Sequence, residues 1–275
     1  MSKGLLVFAY NNRAVDYIQQ AAFLAKRAKE YLDLPLSIVT DDVKSAEKWK
    51  DLFDEIIFCR SSAMTAKTYN NGTMAKQKLV FRNDTRPKAY QLSPYEQTVL
   101  LDTDYIIADD VLKNCFDGPN DFMIYKDAYD LAGFRDYSEF KHISDVGVEF
   151  YWATCVYFNK CETNKTFFDL VQHVQTYWTH YRQIYRLETP VYRNDHIFSI
   201  AIHIMNGFKK GDFAAKMPGK LYYTTDKDIL HKLDGDEFTL LLEKENRLGQ
   251  YTLANFKGTS LHVMNKFSLA ENIDV

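Results

Sequence analysis

Residues 4–60 read GLLVFAYNNRAVDYIQQAAFLAKRAKEYLDLPLSIVTDDVKSAEKWKDLFDEIIFCR, and their apolar pattern decides the fold class. Gly4–Tyr10 is a short continuous apolar run stopped by polar Asn11-Asn12, as in a strand buried on both faces. Ala14–Leu32 carries apolar residues at helical spacing (Val15, Ile18, Ala22, Leu24, Ala25, Ala28). Leu36–Thr40 is a second strand ending at Asp41-Asp42, Val43–Phe53 a charged helix, and Glu55–Arg60 a third strand. Strands alternating with helices at these lengths predict an α/β fold, its central sheet mostly parallel and flanked by crossover helices.

Beyond this unit the punctuation is less regular. Lys78–Phe81 suits either a short helix or a strand and is broken by Asn83, Asp84, Arg86 and Pro87. Thr98–Leu101 is an apolar strand running into Asp102. Ile106-Ile107 follow, and Asp109-Asp110 suit the cap of a helix through Phe116. In the second half, Asp121–Tyr125 and Cys155–Phe158 read as strands and Lys165–Tyr185 as one long aromatic-rich helix. Asn194–Met205 reads as a helix capped by Asn194 or Asp195, and Leu221–Tyr223 and Ser260–Met264 as short strands. With no repeat and no Pro/Gly-rich boundary, the expectation is a single domain over 1–275, whose halves (about 1–110 and 111–275) share one sheet.

Composition narrows the class. Hydrophobic residues make up 46% of the chain, enough for a sizeable core. A net charge of -3 provides no global basic field for nucleic acid. The four cysteines, Cys59, Cys115, Cys155 and Cys161, form no CxxC pair and lack zinc-ligand spacing. No signal peptide and no apolar run of membrane-spanning length is apparent. The expectation is a reduced, soluble, cytoplasmic protein.

Asp102-Thr103-Asp104 carries the chemistry. Alternation along a strand would turn both carboxylates to one side, just past a strand's carboxyl end, where open α/β sheets bind ligands. Paired carboxylates repel unless a cation sits between them, and hard divalent ions such as Mn²⁺ or Mg²⁺ take such oxygens. An isolated Asp-x-Asp is also a common solvated loop pair. Its context here is the segment 92–110, LSPYEQTVLLDTDYIIADD: a polar turn, an apolar strand, Asp-x-Asp, an apolar pair and an acidic helix start.

That segment resembles the central motif of GT-A (Rossmann-like) glycosyltransferases of the glycogenin and bacterial galactosyltransferase types. The resemblance implies a first half that binds a nucleotide-sugar and a second half for the acceptor. It implies Asp104 as a direct metal ligand and Asp102 on the ribose, the metal or both. His262, in SLHVMNK, is similar to the family's strand-ending histidine and implies a third metal ligand, with Lys266 on the phosphates. Asn265 stands near the family's glycine, and the usual Pro-Trp is missing. By the same resemblance the edge after the first strand holds base and ribose: Tyr10 stacking, Asn11 hydrogen bonding, Asp41 reading base or ribose. The same residues also suit a turn and a helix cap. One of Lys78, Arg86 and Lys88 would neutralise phosphate or reach the donor sugar; each alone also suits a solvated surface charge. Asp195 would contact the transferred sugar or the acceptor hydroxyl, or serve only as a cap.

The function expected is metal-dependent transfer of a sugar from a nucleoside diphosphate-sugar, UDP-sugar favoured, to a hydroxyl. The acceptor is either a glycan or a hydroxymethyl-pyrimidine in phage DNA. The DNA case is suggested by a phage-like composition, which would imply a host cytoplasm, and by the aromatic and basic stretch from Tyr177 through Arg182 and Arg186 to Arg193. A nucleotidyltransferase of related fold is the alternative enzyme, but Tyr10–Arg13 stands where its Gly-rich phosphate loop would be. A non-catalytic nucleotide-sugar-binding protein is the alternative without chemistry. Sugar, base, stereochemistry and oligomeric state have no signature in the chain.

Overall fold

The computed structural model describes residues 1–275 except 63–64, 83, 134, 136–139 and 245–246. Asn83, read above as a breaker, lies outside the described residues. In chain order the strands of the first half are β1 (Lys3–Phe8), β2 (Leu36–Thr40), β3 (Ile56–Phe58), β4 (Thr65–Asn71), β5 (Ala75–Phe81), β6 (Gln97–Leu101) and β7 (Tyr105–Ile106). Those of the second are β8 (Phe122–Tyr125), β9 (Ala128–Asp130), β10 (Trp152–Asn159), β11 (Ala215–Lys216), β12 (Leu221–Thr224), β13 (Ile229–Asp234), β14 (Glu237–Glu243), β15 (Tyr251–Lys257) and β16 (Leu261–Val263). The helices are α1 (Tyr17–Arg27), α2 (Val43–Ala46), α3 (Ala89–Leu92), α4 (Glu162–Thr176), α5 (Trp178–Ile184), α6 (Asn194–Met205) and α7 (Lys266–Asn272).

A seven-stranded sheet of order β11-β8-β10-β6-β1-β2-β3 organises the molecule and draws strands from both halves. Every pair is parallel except those of β10, which runs against β6 and β8. The fold is therefore α/β with a mostly parallel central sheet, as the alternating pattern predicts. Its strands are apolar runs because both faces are covered: every residue of β2 and all but the last of β10 are buried. Gly4 is required by a close approach, since a Cβ there would meet the Tyr95 ring at 2.4 Å.

Four further features differ from the sequence expectations or were absent from them. A second sheet, β7-β16-β12-β9, and a meander, β13-β14-β15, enclose a smaller core around Leu240, Leu261 and Leu269. Residues 78–81 belong to a hairpin, β4-β5, that stands apart from the central sheet. The helix expected over 165–185 is two, α4 and α5, because Tyr177 leaves helical geometry at φ -102, ψ 33. Val43–Phe53 is a short α2 followed by a 3-10 turn, Glu47–Leu52, with Trp49 non-helical at φ -119.

The caps also move. α1 starts later than Ala14, with Asp16 accepting from Gln19 N, and it continues as a π-helical turn, Ala28–Leu32. Val111–Phe116 is a 3-10 turn, and Asp110 makes no side-chain cap. The N-cap of α6 is Arg193, so Asn194 and Asp195 lie inside the first turn.

Candidate metal and nucleotide site

Parallel pairing brings the carboxyl ends of β1, β2 and β6 to one edge of the sheet, and β10, running the other way, begins there. Tyr10, Asn11, Asp41, Asp102 and Ala153 therefore share the edge where ligands of such sheets bind. Asp102 and Asp104 meet through a tight turn, Tyr105 N donating to Asp102 O at 3.2 Å, and not through strand alternation. Backbone beyond the turn recruits the third group. β7 pairs with β16, opposing Tyr105 to His262, and Val263 N donates to Asp104 O at 2.9 Å. Ligand atoms of Asp102, Asp104 and His262 all lie within 4.8 Å of one another.

Two cations complete the cluster. Lys266 opens α7, which Asn265 caps by accepting from Phe267 N and Ser268 N, and its ammonium contacts Asp104 Oδ2. His262 Nε2 lies 3.1 Å from the same oxygen. Burial alone would raise the Asp104 pKa, but Lys266 and His262 outweigh it and hold the carboxyl far below its ordinary range. Burial would likewise lower Lys266, and Asp104 reverses it. Arg86, 4% exposed, reaches Asp102 Oδ1 at 2.8 Å and donates to the carbonyls of Ala153, Thr154 and Leu101. Asp102 is raised by crowding and by Asp104, against the opposing charge of Arg86, although its side chain remains 35% exposed.

Two carboxylates and an imidazole in this proximity are a fitting donor set for Mn²⁺ or Mg²⁺. His262 Nδ1 is buried without a hydrogen-bond partner, so the protein does not fully satisfy this ring.

The remaining residues named from sequence are arranged around the cluster unevenly. Tyr10 is 5% exposed, and its hydroxyl donates to Cys59 O at 3.0 Å and accepts from Thr85 Oγ1 at 2.8 Å. Asn11 Oδ1 accepts from Ile18 N, and Asn12 Oδ1 from Ala14 N and Val15 N, so this segment serves the start of α1. Asp41 pairs with Arg82 at 2.8 Å. Lys88 shares the 3-10 turn of Arg86 and is half-buried, with no contact to the cluster among the described residues. Asp195 Oδ1 accepts from Ala153 N at 3.0 Å and Oδ2 from Arg193 at 3.0 Å. It is thus linked to Asp102 by three successive contacts, through Ala153 and Arg86. Burial would raise its pKa, but Arg193 and the Ala153 N–H lower it.

With this geometry in view, the chain can be compared with known proteins. It is similar in structure to glycosyltransferases. GlyE of Streptococcus pneumoniae TIGR4 aligns at TM-score 0.44 and 15% identity, over 78% of this chain and 45% of that one. The bifunctional WbbM in its apo form aligns at TM-score 0.41 and 15% identity, over 64% and 35%. The galactosyltransferase LgtC, in complex with donor and acceptor sugar analogs, aligns at 0.43 and 11%, over 70% and 68%. The chain spans less than half the length of GlyE and of WbbM. No family model and no curated protein matches it.

Lys67, on β4 of the hairpin, was not singled out from the sequence. The Asn71-Gly72 pair was the available signal, since such a dipeptide between extended runs marks a hairpin. Apart from the cluster, a cavity of about 380 Å³ lies against α5 and α6, lined by Tyr151, Tyr181, Tyr185, His203, Phe208 and Glu149 among others. No helix among the described residues is long and apolar enough to cross a membrane. All four cysteines are free.

Proposed function

We propose that this chain is a metal-dependent glycosyltransferase that moves a sugar from a nucleoside diphosphate-sugar, UDP-sugar favoured, to a hydroxyl of a glycan. The observation that carries this is the convergence of Asp102, Asp104 and His262, with Lys266 and Arg86 against them, at the carboxyl edge of a parallel sheet. Asp102, Asp104 and His262 would hold the ion, which when bound supplies positive charge against a departing diphosphate.

The chain's own groups divide the remaining work. Lys266 neutralises Asp104 and, with a cation on that carboxylate, turns its ammonium to phosphate oxygens. Arg86 fixes Asp102 and ties it to the start of β10. Asp195, kept ionised by Arg193 and the Ala153 N–H, is a poor proton acceptor. Its role here is to orient a hydroxyl of the sugar or the acceptor. Tyr10, Asn11 and Asp41 line the nucleoside end of the edge, Tyr10 as a buried support. Lys88 is peripheral.

A glycan is favoured over DNA because each arginine of the basic stretch has a partner in the protein that it would have to share with a phosphate. Arg186 pairs with Asp145, Arg193 with Asp195, and Arg182 donates to Glu188 O. The tyrosine-lined cavity supports the same acceptor. Its wall residue Ser199 is one turn of α6 beyond Asp195 and accepts from Tyr151 N at 2.8 Å. Nucleotidyl transfer is disfavoured because Asn11 and Asn12 are engaged with the start of α1, where a phosphate loop would need free N–H groups.

The test is turnover of UDP-, GDP- and CDP-sugars with and without Mn²⁺, for wild type and Asp104→Ala. We expect metal-dependent hydrolysis or transfer from one donor, reduced by at least about 100-fold in the variant. Absence of metal-dependent turnover or binding for every donor would sink the proposal.

A further inference from the structure

The hairpin β4-β5 is fastened to elements from both ends of the chain. The Tyr69 hydroxyl meets that of Tyr17 at 2.8 Å, and its ring lies edge-on to Phe267 at 6.5 Å. Asn70 donates to Asp226 at 2.8 Å, Asn265 donates to Asn71 at 3.3 Å, and Thr73 N donates to the Tyr251 hydroxyl at 2.9 Å. Strand alternation puts Lys67 on the same face as Tyr69, directly across from Leu79, and both of those neighbours are buried.

Lys67 is thereby held against aromatic rings. The Lys67 ammonium sits 5.0 Å from the Phe81 ring centre and 5.7 Å from that of Tyr69. Among the described residues it has no ion-pair or hydrogen-bond partner. The other cations around the cluster each have a carboxylate: Arg86 has Asp102, Lys266 has Asp104, Arg193 has Asp195. Crowding lowers the Lys67 pKa to about 8, with Lys266 adding to the effect and Asp104 opposing it. The side chain is nevertheless open to solvent. Its neighbour on that face, Tyr69, packs against Phe267, which follows the Lys266 that contacts Asp104.

We propose that Lys67 is a diphosphate-binding residue, held by the β4-β5 hairpin beside the Asp102–Asp104–His262 cluster to contact the phosphates of the nucleotide donor. This rests on the glycosyltransferase reading above. The anion would supply what the protein leaves out at this position, and the hairpin's fastenings mean that little ordering is needed on binding.

Inorganic pyrophosphate with Mn²⁺ is the probe, and the shift in Tm of the full chain is the readout, titrated for wild type, Lys67→Met and Lys67→Arg. Methionine keeps an apolar stem against Tyr69 and Phe81, and each variant is referred to its own ligand-free Tm. We expect pyrophosphate to stabilise wild type, to bind Lys67→Met about 10- to 100-fold more weakly, and to regain most of its affinity in Lys67→Arg. Equal affinity in wild type and Lys67→Met overturns the role of Lys67 and leaves the site reading standing. No stabilisation of wild type overturns both.

Discussion

Single side chains do more than one job at this edge of the sheet, and Arg86 and His196 illustrate it. Arg86 spends its guanidinium on Asp102 and on backbone carbonyls of β6 and β10, so one residue couples the Asp102–Asp104 turn to the strand that receives Asp195. A lysine could not fork in this way. His196, next to Asp195, packs edge-on to Phe150 and parallel to Trp178. Burial, then the charge of Arg193, lowers its pKa from 6.5 to about 4. The fold therefore tolerates the neutral ring. Its contribution is complete above pH 6.5 and is lost as pH falls toward about 4, a change on the order of 3 kcal/mol. Denaturant melts from neutral pH down to that value should show a shallower loss of stability in His196→Phe than in wild type. Parallel losses would remove His196 as the titrating group.

Secondary-structure elements show what the sequence made visible. β1, β2 and β6 announced themselves because a strand covered on both faces must be a run of apolar residues, and Leu36–Thr40 was read with its observed limits. The hairpin did not, because TAKTYNN and AKQKLVF have one packed face and several exposed polar positions. β13-β14-β15 escaped for the same reason: its inward residues, such as Phe238 and Leu240, alternate with exposed or half-buried ones. α4 and α5 were fused because their apolar spacing continues through Tyr177, and only backbone angles reveal the break. The hairpin turn gives a direct test. Gly72 has φ +68, and a Cβ there would meet the Tyr251 hydroxyl at 2.7 Å. Gly72→Ala should cost about 1–3 kcal/mol in unfolding free energy and weaken pyrophosphate binding. An unchanged Tm would mean that the turn is not fastened to Tyr251.

At the scale of the whole molecule, an ionic knot ties together three segments of the second half. Arg135 lies between Asp130 at 2.6 Å and Asp228 at 2.8 Å, with Glu243 at 3.8 Å, where β9, the approach to β13 and the end of β14 meet. Removing the cation would leave three buried carboxylates, so Arg135→Met should cost about 3–5 kcal/mol by thermal or denaturant melting. A neutral result would show that the carboxylates find other partners. None of this knot was legible in the sequence, since its members are far apart along the chain and carry no motif. The Asp102–Asp104–His262 cluster was legible in part: Asp102 and Asp104 by spacing, His262 by resemblance alone, because only pairing of β7 with β16 brings it to Asp104. That pairing spans 158 residues. At a synthesis rate of about 5–20 residues per second, roughly 8 to 30 s separate the emergence of Asp104 from that of His262. Throughout that interval the nascent chain carries its acidic pair without the strand, the imidazole or the ammonium that later enclose it. On the function proposed above, activity needs β16 and α7 as well as the Asp102–Asp104 turn, so donor turnover would report that both have docked.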